Sequence, residues 1–155
     1  MAELKTSAEL AAPAAAVWEL LTDFGDIQRW WPADGLIQME RVELEGSGIG
    51  MIRHIYNKGI PGFISERLDF LDPATRTWML SIVGTRPRGI TAYIAEGHLV
   101  ELGADRCRID YRANVTTEPG REEQVKKGLL TTWTVMFRGL EQAAQKLAHE
   151  RHGGR

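Results

Sequence analysis

From Leu36 to Thr117 apolar and polar residues alternate in runs broken by Gly, Pro, Asn and Asp, the mark of consecutive β-strands. The pattern predicts strands at Leu36–Leu44, Gly50–Tyr56, Phe63–Leu71, Thr77–Val83, Ile90–Leu102 and Asp105–Thr117. Turn residues separate them: Gly46-Ser47-Gly48, Lys58–Gly62, Asp72-Pro73, Arg86–Gly89 and Gly103–Asp105. Beyond Thr117 the period becomes helical. Val125, Leu129, Trp133, Met136, Phe137, Leu140, Ala144 and Leu147 recur at steps of three and four. Glu123, Lys126, Lys127, Arg138, Glu141 and Lys146 occupy the opposite, wet face. A helix from about Gly120 to Leu147 would be roughly 40 Å long at ~1.5 Å per residue.

Ahead of the strands, Glu3–Ala11 alternates weakly and reads as a first strand. Pro13 suits the first position of a helix over Ala14–Thr22, with Val17, Leu20, Leu21 and Phe24 as its stripe. Asp26 can cap a second brief helix to Trp31, stopped by Pro32. Strand, two short helices, meandering strands and one long helix predict an α+β fold with an antiparallel sheet. A long helix with an aromatic stripe needs a broad curved sheet to lie in. The expected architecture is therefore a helix-grip fold: seven curved antiparallel strands around the C-terminal helix, with a cavity between them.

The 155 residues suffice for one domain, placed at 1–148, with His149–Arg155 as a disordered tail. With 19 basic and 21 acidic residues the net charge is −2, which gives no global electrostatic case for nucleic acid or an anionic membrane. Cys107 is the only cysteine, so no internal disulfide forms and a reducing, cytoplasmic setting is expected. In a strand pattern that thiol reads as a small buried hydrophobe. No apolar run approaches the ~20 residues of a membrane span. Ala11–Val17, bracketed by Glu9 and Glu19, lacks the basic leader and apolar core of a signal peptide. No stable membrane insertion is expected, and the chain should act as a monomer or homodimer. His54, His98, His149 and His152 show no metal-ligand spacing, so neither metal nor cofactor is expected. Gly46–Gly50 superficially suggests a phosphate loop, but the strand after it makes a hairpin turn the better reading.

This element order, with Val17-Trp18-Glu19-Leu20-Leu21-Thr22-Asp23-Phe24 and Trp30-Trp31-Pro32, resembles the START-like superfamily. That group includes Bet v 1-type proteins and the bacterial polyketide cyclase/dehydrase and lipid-transport family. Glu66–Asp72 followed by Ser81-Ile82-Val83-Gly84 is similar to the core of the plant abscisic acid receptors. Those receptors close a cavity with a gate loop and a latch loop. The corresponding stretches here are Lys58–Gly62, which keeps a Gly-x-Pro, and Gly84–Gly89, where Pro87 replaces the latch His. Trp31 stands where the receptors carry a Lys for the hormone's carboxylate, so hormone reception is not implied. The resemblance implies two lips, with Gly59, Pro61 and Gly62 in one and Arg86, Arg88 and Gly89 in the other.

The resemblance also points Arg53 and Glu66 into the cavity from adjacent strands, where they could orient a polar ligand group or move a proton. A surface cross-strand ion pair is the alternative. Tyr93 matches a cavity tyrosine of the receptors, or else belongs to the core. Apolar alternation turns Ile109, Tyr111 and Ala113 inward, whereas the family register turns Arg112 and Asn114 inward; both readings stay open. Trp133 and Phe137, one helical turn apart, should roof the cavity. The expected lining is Arg53, Ile55, Glu66, Leu80, Ile82, Tyr93, Trp133 and Phe137, with Arg112 and Asn114 as further candidates.

Three functions compete. The first is binding or transport of a hydrophobic small molecule: a lipid, isoprenoid or aromatic polyketide. The second is a polyketide cyclase/aromatase with Glu66 as acid or base, Arg53 setting its charge and Tyr93 orienting the substrate. The third is a ligand-gated protein-interaction module.

Overall fold

The computed structural model describes residues 2–35, 37–87 and 89–153. Strand β1 (Ala2–Leu10) leads into helix α1 (Ala14–Thr22) and a 3₁₀ segment (Phe24–Arg29). Six strands follow: β2 (Met39–Glu45), β3 (Ile52–Asn57), β4 (Ile64–Asp72), β5 (Thr77–Val83), β6 (Ile90–Gly103) and β7 (Arg106–Thr117). Helix α2 (Glu122–Gly153) is the last described element. The strands form one seven-stranded sheet in the order β1-β7-β6-β5-β4-β3-β2, every pair antiparallel. Register shifts in β2, β4 and β6 interrupt the ladders. Such bulges bend strands and let the sheet curl around α2.

Three boundaries differ from the sequence pattern. Pro13 is the N-cap of α1, not its first residue: its ψ of 137° is extended, while its carbonyl accepts from Ala16 and Val17. Asp26 caps nothing and lies inside the 3₁₀ segment with φ −112° and ψ 48°. Strand β2 starts at Met39, because the Ile37 carbonyl is taken by the Trp31 indole at 2.8 Å rather than by a neighbouring strand. Leu36 lies outside the described residues.

The C-terminal end of α2 is a further correction. His149–Gly153, expected as a disordered tail, continue the helix, and Arg151 reaches Glu19 on α1 at 2.7 Å. Gly154 and Arg155 lie outside the described residues. Glu141 accepts from the Ala11 backbone N–H at 2.8 Å, and Gln145 donates to the Ala11 carbonyl at 2.9 Å. These bonds satisfy backbone groups in the β1–α1 connection that would otherwise lack partners.

The helix thus has two unlike halves. Its C-terminal half packs on α1 and β1, where Val17, Leu20, Cys107, Ile109, Leu140 and Ala144 are essentially inaccessible. That end is closed. Its N-terminal half stands away from β3, β4 and β5, and the gap is a cavity.

Candidate functional site: an apolar cavity with a polar floor

The cavity measures about 480 Å³, within the usual range of small-molecule sites. Inward parity along the strands supplies its floor: Arg53, Ile55 and Asn57 from β3, Ile64 and Glu66 from β4, Leu80 and Ile82 from β5, Ile90 and Tyr93 from β6, and Tyr111 from β7. On β3, β4 and β5 alternation makes this automatic, since residues two apart share a face; on β6 the register shift between Ile90 and Ala92 lets Ile90 and Tyr93, three apart, both face inward. Helix α2 supplies the roof with Val125, Leu129, Trp133 and Met136, and Trp31, Ile37 and Met39 close one side.

Arg53 and Glu66 are register partners across β3 and β4. Both Nε and Nη2 of Arg53 lie 2.8 Å from Glu66 Oε1. The guanidinium also donates to the Phe24 carbonyl at 3.2 Å and sits 4.0 Å over the Phe24 ring. Each nitrogen of the Arg53 guanidinium therefore has a partner within the protein. Glu66 is not: among the described residues its Oε2 takes no hydrogen bond. Removing one partner of such a buried pair costs about 3–5 kcal/mol, so the pair is also structural.

Tyr93 lies beside it. The Trp133 indole N–H donates to the Tyr93 hydroxyl at 3.3 Å, which leaves the Tyr93 proton for an oxygen in the cavity. Burial, and then the negative charge of Glu66, push the Tyr93 hydroxyl up to about 12, against opposing hydrogen bonds with Trp133 and Tyr111. Burial also holds the Tyr111 hydroxyl well above its ordinary range. Both phenols stay neutral at physiological pH and act as donors. Because the Tyr93 pKa is raised in the folded state, its contribution to stability is complete below pH 10 and is lost as pH rises toward about 12. A shift of this size corresponds to roughly 2–3 kcal/mol. Replacing Tyr93 by Phe should flatten that part of the alkaline unfolding curve, as followed by circular dichroism.

Of the residues expected from the sequence, Arg53, Ile55, Glu66, Leu80, Ile82, Tyr93 and Trp133 all face this space. Phe137 does not. It is buried beyond the end of the cavity, packed edge-on against Tyr111 at 6.2 Å, where helix and sheet have already closed. Arg112 and Asn114 do not reach it either. Strand β7 turns Ile109, Tyr111 and Ala113 inward, and Arg112 pairs with Glu96 at 3.0 Å on the outer face. Apolar alternation, not the family register, sets the facing of this strand.

Each of the two loops expected as lips supplies one residue to the lining, Ile60 and Pro87, whereas Gly59, Pro61, Gly62 and Arg86 are exposed. Gly89 is buried instead: at φ +88° its Hα side lies against Val125 and Arg121, and an added Cβ would come within 3.0 Å of Val125. Arg88 lies outside the described residues.

Tyr111, Asn57, Arg121 just before α2, and the α2 residues Gln124, Gly128 and Thr132 were not singled out from the sequence as lining. Asn57 follows Arg53 and Ile55 at strand period. Arg121, Gln124, Gly128 and Thr132 recur at helical spacing on a stripe that reads as solvated.

A curved seven-stranded sheet gripping a long helix over an apolar cavity defines the START-like, Bet v 1-like class. Residues 1–150 match the polyketide cyclase/dehydrase and lipid transport family, and the chain belongs to it. No curated protein matches the chain in sequence. Among solved structures it is similar to the protein XoxI from Bacillus cereus, with 23% identity, a TM-score of 0.78, and coverage of 96% of this chain and 99% of that one. It is similar to Thalictrum flavum norcoclaurine synthase bound to a transition-state analogue, with 20% identity, a TM-score of 0.73, and coverage of 95% and 96%. The di-domain aromatase/cyclase BexL matches at 17% identity and a TM-score of 0.77, with 94% of this chain covering 47% of that one. Among the described residues no helix is long and apolar enough to cross a membrane.

Proposed function

We propose that this protein binds and carries a hydrophobic small molecule, a lipid, isoprenoid or aromatic polyketide, in the cavity between sheet and helix. The observation that carries the reading is the cavity itself: about 480 Å³ of space with a mainly apolar wall and a small polar cluster deep inside. Apolar walls supply affinity without direction, and a few polar groups fix orientation. Tyr93 and the free oxygen of Glu66 suit a neutral hydroxyl or carbonyl. The two lips, around Ile60 and Pro87, would admit the ligand. The buried Cys107 thiol suits a reducing, cytoplasmic setting.

One observation favours a second reading, cyclase or aromatase chemistry. Glu66 Oε2 is unengaged and Tyr93 is a neutral donor beside it. Glu66 could take a proton from carbon between two carbonyls while Tyr93 hydrogen-bonds the developing enolate oxygen. The Glu66→Gln variant separates the two. Gln keeps the shape and the bond to Arg53 but cannot move a proton. In a carrier it should change ligand affinity by about 1 kcal/mol, roughly fivefold. Loss of multi-turnover product formation from a poly-β-ketone substrate by ~10²–10⁴-fold would instead establish the enzyme.

A further inference from the structure

We propose that the mouth of the cavity holds a second polar subsite, built from Asn57 and Arg121, which takes the carboxylate of an amphiphilic ligand. The proposal rests on the ligand-binding reading above and adds the ligand's chemical class: a long apolar body with an acid at one end.

Asn57 ends β3, and its side chain is nine-tenths buried, with 9% of the residue exposed. Its Oδ1 has no hydrogen-bond partner among the described residues, and neither has the buried Nε of Arg121. Both residues line the cavity. An unpartnered buried polar group is costly, so the orphaned atoms of these two residues are a standing penalty that a ligand can relieve: an acceptor oxygen satisfies the Arg121 Nε directly, and Asn57 once its amide has turned. Arg121 is also a charge without a counter-ion, since it enters no ion pair among the described residues.

The surroundings direct that charge toward the cavity. Gly89 covers one side of the side chain closely enough that an added Cβ would lie 3.6 Å from Arg121 Nε and 3.0 Å from Val125. The Asn57 amide can present either its oxygen or its NH₂. Turned to present NH₂, it joins Arg121 as a second donor to an anionic oxygen.

Electrostatics then sort the two ends of the ligand. Deep in the cavity the Arg53 charge is already neutralised by Glu66 at 2.8 Å, so an anion would meet a carboxylate there with no free cation. At the mouth an anion meets a free guanidinium and keeps part of its hydration, which lowers the cost of burying charge. A neutral oxygen faces Tyr93, and the acid faces Arg121.

Trp31 and Trp133 line the cavity, so tryptophan fluorescence can report binding of a matched pair, dodecanoate and dodecanol, at pH 8. The protein should bind dodecanoate at least about tenfold more tightly, equivalent to about 1.4 kcal/mol. Arg121→Gln should erase that preference. Asn57→Leu should weaken dodecanoate binding yet raise Tm, because it removes a buried unpartnered group; a merely structural asparagine would lower Tm when replaced. Dodecanol binding as tightly as dodecanoate, or a preference that survives Arg121→Gln, overturns the subsite and leaves the cavity reading standing. Binding of neither probe overturns both.

Discussion

Ile82→Trp should leave the protein folded and weaken its binding of a hydrophobic ligand by about a hundredfold. Ile82 is buried on β5 and faces the cavity between Glu66 and Tyr93, so a larger side chain there grows into empty space. The indole would displace about four methylenes of ligand, at ~0.8 kcal/mol each, which amounts to roughly a hundredfold in affinity. Filling a cavity with apolar atoms tends to stabilise the unliganded state. The contrast lies on β7. Ile109 is fully inaccessible in the closed end of the fold, and Ile109→Trp has no space to occupy. Overpacking there should cost ~3 kcal/mol or more. Urea unfolding of the two variants, with a ligand titration of the first, checks both halves of the contrast.

Gly97→Ala should be the most damaging small substitution in the sheet. Gly97 on β6 pairs directly with Trp78 on β5, and a Cβ at Gly97 would fall inside the Trp78 indole. The ring has nowhere to retreat. It packs against Trp18 at 6.2 Å and Tyr111 at 6.1 Å, and Tyr111 in turn meets Trp133 edge-on at 4.9 Å. A shift of Trp78 therefore moves Tyr111, part of the cavity floor. The expected loss is about 3 kcal/mol or more, a fall in Tm of roughly 10 °C for a domain of this size. Gly128→Ala is the control: nothing lies within 4 Å of an added Cβ, and the helix gains about 1 kcal/mol. Thermal unfolding of both should move in opposite directions.

The strands and the long helix were legible because their periods are set by burial on one side. Strand β7 is the plainest case: Cys107, Ile109, Tyr111, Ala113 and Val115 alternate inward without exception. Where a family register opposed that alternation, at Arg112 and Asn114, the alternation prevailed, since a one-residue slip would have buried a whole row of polar groups. Arg53 and Glu66 were placed together by the family resemblance rather than by periodicity, and they are register partners on β3 and β4. Phe137 could not be placed correctly. Helical spacing defines a face, but it does not say how far along that face the sheet has closed onto the helix. Asn57 and Arg121 were missed for a related reason. A polar residue at the end of a strand, or just before a helix, reads as solvated unless the empty space beside it is known. The limits of α2 were hidden likewise, because Arg151–Glu19 is a contact between distant parts of the chain.

The central claim is that the space between β3–β6 and the N-terminal half of α2 is a binding site for a hydrophobic molecule. A crystal structure of the protein equilibrated with 12-bromododecan-1-ol, measured at the bromine absorption edge, tests it directly. The account predicts one dominant anomalous peak inside the cavity, among Leu80, Ile82, Tyr93 and Trp133 or toward Ile60 and Pro87 at the mouth. Bromine found only on the outer face of the sheet, or a cavity filled by rearranged side chains with no bromine in it, would contradict the account.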